Sequence, residues 1–267
     1  MSRRNNDINL GTALLSFTAI FAVIGMITET CAILFGYDAN MRVFKLGSKI
    51  ATVSVAALFI LSILTVTLAI CVGKIGRMRA HPHSNALSEL VAAIGGFAMT
   101  ASSIIFLIES WGNGGTLKLF TVLLFLVSIP AGLNFFLGKT MNERISTVLE
   151  FFPPLWNATC LVRLYFDSEN AINDPVRILL QITLVTVMLA LTYELKLRVK
   201  GTGQIMFTVT ASLATVLASS SFMSIALLYF IVKVGSVGDL LLSLASLLVS
   251  LYLLMRLGAY YKIRERE

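Results

Sequence analysis

The chain has 267 residues, 57% of them hydrophobic and only 13% charged, with a formal net charge of +7 and a mean hydropathy of +0.86. Soluble domains carry about 25% charged residues, so too few polar groups are present to cover a water-exposed surface of this size. Lipid must be the solvent for much of the chain, and the excess positive charge reads as membrane topology and attraction to anionic lipid, not as a nucleic-acid surface.

In chain order, apolar runs predict helices over 10–35, 50–73, 87–108, 117–137, 146–166, 176–195, 204–232 and 238–258. Most are close to the roughly 20 residues that cross a hydrocarbon core. The fifth is the exception in composition. Only 12 uncharged residues separate Glu150 from Arg163, and Pro153-Pro154 lies among them. The seventh is the exception in length. Its 32 uncharged residues between Lys200 and Lys233 read either as one tilted helix or as a helix that breaks near Ser219-Ser220-Ser221.

Charge in the gaps sets the orientation. With the N-terminus inside, fourteen of the 21 basic residues fall in inside segments, from Arg3-Arg4 through Lys74, Arg77 and Arg79 to Lys262, Arg264 and Arg266. Removing the fifth span would place Lys196, Arg198, Lys200 and the basic tail outside, against the positive-inside rule. The expectation is therefore an all-α polytopic membrane helix bundle of eight transmembrane helices, both termini cytoplasmic, in a single transmembrane domain over 1–267. The first run is too long for a signal-peptide core, so Arg3-Arg4 reads as an inside anchor.

The two halves, 1–140 and 146–260, share a layout. Each has a basic inside loop after its second helix, a third helix rich in Ala, Ser and Thr, and a Gly-bearing outside turn. This reads either as a parallel four-plus-four duplication or as the common composition of apolar helices. Ser88, Ala92, Gly96 and Thr100 form a small-residue stripe, and Ser243, Ser246 and Ser250 share a face. Such faces allow close helix packing within a chain, or in a homodimer.

Charges inside spans are costly and mark sites. Glu29, Glu109 and Arg163 fall at the outer ends of their helices. They read either as a cluster lining an outward vestibule or as separate marks of the interface. Glu89, Glu150 and Glu194 fall at the inner ends, near Arg79, Arg144, Lys196 and Arg198, where interfacial pairing is expected. Pro153 and Pro154 must start or kink a helix. Asn157 beside them could bind a ligand, or the segment could be an interfacial entry with Phe151, Phe152 and Trp156 as an aromatic belt. His81 and His83 stand without Cys or acidic neighbours, and Cys31, Cys71 and Cys160 have no paired spacing, so neither set reads as a metal site. The sequence contains no catalytic motif of the G-x-S-x-G or H-E-x-x-H kind, and no phosphate loop. No cofactor is expected.

The stretches Glu150–Asp167 and Pro175–Leu197, with Phe152-Pro153, Trp156, Arg163 and Tyr193-Glu194, resemble uncharacterised multi-spanning membrane proteins of Gram-positive bacteria. The resemblance implies a bacterial plasma membrane and no particular activity.

Two functions fit these features. One is a small-molecule transporter or permease-like protein with its site among helices 1, 3 and 5. The other is a non-catalytic assembly, sensing or scaffold subunit bound to a membrane partner protein. A central polar cavity reached by Arg163, Glu29 or Asn157 favours the first; a dry bundle with charges only at its interfaces favours the second.

Overall fold

A backbone in lipid has only itself to hydrogen-bond with, and the apolar runs of this chain form helices. The computed structural model describes residues 2–45, 47–75, 78, 86–111, 116–137, 143–167 and 173–262. Its elements are α1 (Ser2–Gly36), a two-residue hairpin β1 (Tyr37–Asp38) and β2 (Val43–Phe44), α2 (Lys49–Ile75), α3 (Ala86–Glu109), α4 (Thr116–Leu137), α5 (Glu143–Leu149), α6 (Phe152–Phe166), α7 (Pro175–Lys200), α8 (Gln204–Leu227) continued by a π-helical turn (Leu228–Val232), and α9 (Val237–Lys262). Among the described residues, seven segments are long and apolar enough to cross a membrane, on α1, α2, α3, α4, α7, α8 with its π turn, and α9. Large apolar side chains such as Phe59, Phe97, Leu126 and Ile182 lie exposed on the outer helix faces, as lipid contact requires.

The fifth expected span differs from its sequence reading. Residues 146–166 form two helices, α5 and α6, and not one. Pro153 and Pro154 lack the N–H groups that would bond the carbonyls of Leu149 and Glu150. The Phe151 N–H reaches back only three residues, to the Val148 carbonyl at 3.2 Å. The four-residue ladder resumes where the Leu155 N–H donates to the Phe151 carbonyl. At 15 residues, α6 is about 22 Å long, short of a hydrocarbon core of roughly 30 Å.

The seventh span does not break near Ser219. The hydroxyls of Ser219 and Ser220 donate back to the carbonyls of Thr215 and Val216, which satisfies them inside the helix. The irregularity comes later, in the π turn. There the Val234 N–H donates to the Leu228 carbonyl, and Lys233 ends the turn with a left-handed φ of 63°. The hairpin that follows α1 pairs Tyr37 with Phe44, and their rings meet edge to face.

Packing divides the helices into two groups. α8 touches α1, α2, α7 and α9. α7 and α9 also belong to a ring with α3, α4 and α6: α3 on α4, α4 on α6, α6 on α7, α7 on α9, and α9 on α3. Small residues allow α3 and α4 to cross closely in the ring. A side chain at Gly96 would meet the Gly132 carbonyl at 3.0 Å, and one at Gly132 would meet the Thr100 hydroxyl. Ser243, Ser246 and Ser250 are buried within the chain as well. The stripes therefore serve packing inside one molecule.

Contacts assign residues to two ends. Gly11 meets Tyr261, Gly73 meets Ile205, and Arg198 meets Glu150 at the end that carries both terminal helix ends. Glu29 meets Ser224, Tyr37 meets Asp174, and Gly238 meets Phe106 at the other. For brevity these are the terminal end and the loop end.

Asp174 caps α7 by accepting from the Val176 N–H at 2.9 Å, and Pro175 fills the first helical position. Asp174→Ala is expected to lower stability by about 1 kcal/mol, and Asp174→Asn by much less. Thermal unfolding in detergent checks this; equal losses in the two variants would contradict the capping role.

Candidate functional site

The ring encloses side chains that lipid would reject. α3 and α6 are not neighbours in it, yet side chains bridge them. The indole Nε1 of Trp156 on α6 donates to the Ser103 hydroxyl on α3 at 3.0 Å. Seven residues later, two helical turns along α6, the Arg163 guanidinium lies 3.5 Å from the centre of the Phe106 ring, a cation–π contact. Trp156, Ser103 and Phe106 are all but inaccessible to solvent. These contacts plug the ring.

On the terminal side of the plug lies a crevice of about 450 Å³ between α3, α4, α5, α7 and α9. Glu89, Asn134, Glu150, Arg198, Tyr252 and Arg256 line it. A smaller pocket beside it reaches Pro153 and Glu194. Two ion pairs hold its wall. Arg256 donates from Nε to Glu194 at 2.8 Å with both side chains buried, and Arg198 pairs with Glu150. Sequence distance hid the first of these: Glu194 and Arg256 are 62 residues apart, on different helices, and only the α7–α9 contact brings them together. The break at Phe151 helps to shape this crevice, because it sets Glu150 at the junction of α5 and α6 and not within a continuous helix.

On the loop side, Arg163 lies within electrostatic reach of Glu109 on α3 and Asp239 on α9. Asp239 is the residue that sequence reasoning passed over; its place after the Gly235–Gly238 turn, at the outer end of the last span, is the signal that could have found it. The Glu109 carboxylate is held by the Gly238 amide and the Ser236 hydroxyl. Glu29 does not join this group. It is buried in the α1–α8 seam, where it accepts from the Ser224 hydroxyl at 3.1 Å. Asn157 is fully buried, with its Nδ2 donating to the Pro153 carbonyl at 2.9 Å. Its Oδ1 has no partner among the described residues, and neither do Nε and Nη1 of Arg163.

A third pocket, of about 60 Å³, opens at the loop end, where Tyr37, Arg42, Asp174, Arg177 and Asp239 meet an apolar wall. Arg177 is fixed there by donating to the carbonyls of Leu164 and Asp167. Burial holds the Asp174 carboxyl above its ordinary value, against the opposing pull of the Val176 amide and the Tyr37 hydroxyl. Among the described residues no group of three or more His, Cys, Asp or Glu side chains could hold a metal ion. His81 and His83 lie outside the described residues.

The fold and these charged interiors define an all-α, multi-pass membrane protein. Comparison with known proteins gives no matching family model, no match among curated proteins and none among solved structures.

Removing one partner of the Glu194–Arg256 pair leaves the other charge buried and alone. Arg256→Ala is expected to cost about 3–5 kcal/mol. The double variant Glu194→Leu, Arg256→Met should recover most of the loss. Thermal unfolding of the three proteins in detergent is the check, and a double variant no more stable than Arg256→Ala would contradict a paired role.

Proposed function

We propose that the protein is a permease-like transporter of small molecules, with its pathway along the axis of the α3–α4–α6–α7–α9 ring. One observation carries this reading. α3, α7 and α9 each bear charges near both ends, Glu89 and Glu109, Arg177 and Glu194, Asp239 and Arg256, and the chain of α6 does the same with Glu150 and Arg163. Between these ends the helices are apolar, and Trp156 on Ser103 and Arg163 on Phe106 bridge α6 to α3. Polar recesses at two ends, separated by a packed core that includes Met99, Leu124, Leu184, Val187 and Val249, support an alternating-access reading with the path closed between them. A scaffold has no use for charges facing a closed interior, and each is expensive to place there.

In this reading α6 is the eighth crossing. Its loop-end residue Arg163 and the terminal-end residue Glu150 before it support that polarity, and the shortness of α6 is offset by the α5 turn ahead of it. Both termini are then cytoplasmic, as the positive-inside distribution supports, and the large crevice opens to the cytoplasm. The resemblance of Glu150–Asp167 and Pro175–Leu197 to uncharacterised Gram-positive membrane proteins supports a bacterial plasma membrane.

Two experiments test the proposal. Reporters fused after Glu267 and inserted within 168–172 should read cytoplasmic and external respectively; a cytoplasmic readout from 168–172 would remove the eighth crossing. In proteoliposomes, Trp156→Ala should open a leak for small solutes that the parent protein and Trp156→Phe do not show. A Trp156→Ala protein that stays folded and tight would rule out a pathway at this position.

A further inference from the structure

Three basic residues, Arg42, Lys45 and Lys49, crowd one short stretch at the loop end. Arg42 lines the loop-end pocket, whereas Lys45 and Lys49 are exposed. Lys49 opens α2, whose first turn holds no acidic residue. A positive charge there opposes the helix dipole, which favours an anion at an N-terminus. The carboxylate of Asp38 is turned to its own loop, where it accepts from the amides of Asn40 and Met41.

Beside Lys45, on the outer face of α2, lies a groove of about 540 Å³. Lys45 and Phe44 stand at the end where α2 begins, and Ala51, Thr52, Val55, Ala56 and Phe59 line the groove along the helix. The Thr52 hydroxyl donates to the Ser48 carbonyl, and the Ser48 hydroxyl accepts from the Ala51 amide at 3.3 Å, so both are engaged by the helix's own backbone. Lys45 is fixed above the groove: its N–H donates to the Gly36 carbonyl at 2.7 Å, and its carbonyl accepts from the Ser48 amide. From Ser48 to Phe59 the groove runs about 16 Å, at roughly 1.5 Å per residue. That is close to the depth of one leaflet, half of a hydrocarbon core of roughly 30 Å. Thr52, Val55, Ala56 and Phe59 are exposed on a helix long and apolar enough to cross a membrane, so in a bilayer it is lipid that covers them.

We propose that this groove binds an anionic phospholipid of the leaflet at the loop end, its phosphate on Lys45 and one acyl chain laid along α2 as far as Phe59. A cation at one end and hydrocarbon walls along the rest complement what such a lipid presents, and the groove's length matches a chain that fills one leaflet. The same phosphate offsets the charge of Lys49 at the start of α2. The inference rests on the membrane assignment of α2 and is independent of the transport reading.

The test reads lipid at the groove itself, in the full chain reconstituted into bilayers of equal phosphatidylglycerol and phosphatidylcholine with identical acyl chains. A protein with Phe59→Trp and Trp111→Phe carries a reporter indole at the deep end of the groove; the remaining indole, Trp156, is fully buried, away from lipid chains. Bromine placed on the chains of one lipid at a time quenches the reporter. Brominated phosphatidylglycerol should quench more strongly than brominated phosphatidylcholine, with a local preference of about fivefold, the contribution expected of one basic residue toward anionic lipid. Lys45→Gln should abolish that preference and leave quenching by phosphatidylcholine in place. Ala56→Leu, which fills the groove and leaves Lys45 untouched, should reduce the preference as well. Equal quenching by the two lipids in the reporter protein would overturn the proposal without any further variant. A preference that survives Lys45→Gln would place the anion elsewhere, and one that survives Ala56→Leu would mean headgroup attraction with no seated chain; either result overturns it.

Discussion

In a hydrocarbon solvent a charged side chain must face protein or water, and that constraint organises this molecule. Except for Glu29, which is buried between α1 and α8, the charges named here cluster where the α3–α4–α6–α7–α9 ring can shelter them. Arg256 meets Glu194, Arg198 meets Glu150, and Arg163 lies on Phe106 near Glu109 and Asp239. Hydroxyls obey the same constraint more cheaply. Along α8, Thr215, Ser219, Ser220 and Ser224 each donate to a carbonyl one turn back. The helix can therefore be polar in composition and still pack at the centre of the bundle.

Closure of the ring depends on close approach and on interruption. Gly96 against Gly132 lets α3 and α4 cross with little between their backbones. Pro153 and Pro154 interrupt the α5–α6 ladder, so α6 enters the ring as a short helix with Trp156 pointing across it. The recess at the terminal end, lined by Glu150 and Pro153, follows in part from the second of these features. Lengthening α6 into one helix with α5 would carry Glu150 away from the junction where it meets Arg198.

Much of the architecture was legible in the charge-free intervals. Their lengths and the basic gaps between them fixed where helices begin and end, because the cost of a charge in lipid is large and local. The break before α6 was legible in the proline pair for an equally local reason. What the sequence did not disclose is three-dimensional pairing. Glu29 and Arg163 both fall toward outer span ends in the sequence, yet Glu29 faces α8 because α1 packs there, and periodicity does not state which helices are neighbours. The Glu194–Arg256 pair and the part played by Asp239 were hidden in the same way. The hairpin at 37–44 and the π turn at 228–232 lie at span ends, where hydropathy carries no signal for backbone shape.

The central claim is that water reaches the ring interior from its ends while the outer faces of the same helices meet lipid. Reactivity of single cysteines toward a water-soluble thiol reagent, in reconstituted protein lacking Cys31, Cys71 and Cys160, measures this directly. Cysteines replacing Asn134 and Asp239, which line the two recesses, should react quickly. Cysteines replacing Leu126 and Val162, on exposed outer faces, should remain unmodified. Reaction at the outer faces, or none at either recess, would contradict the account.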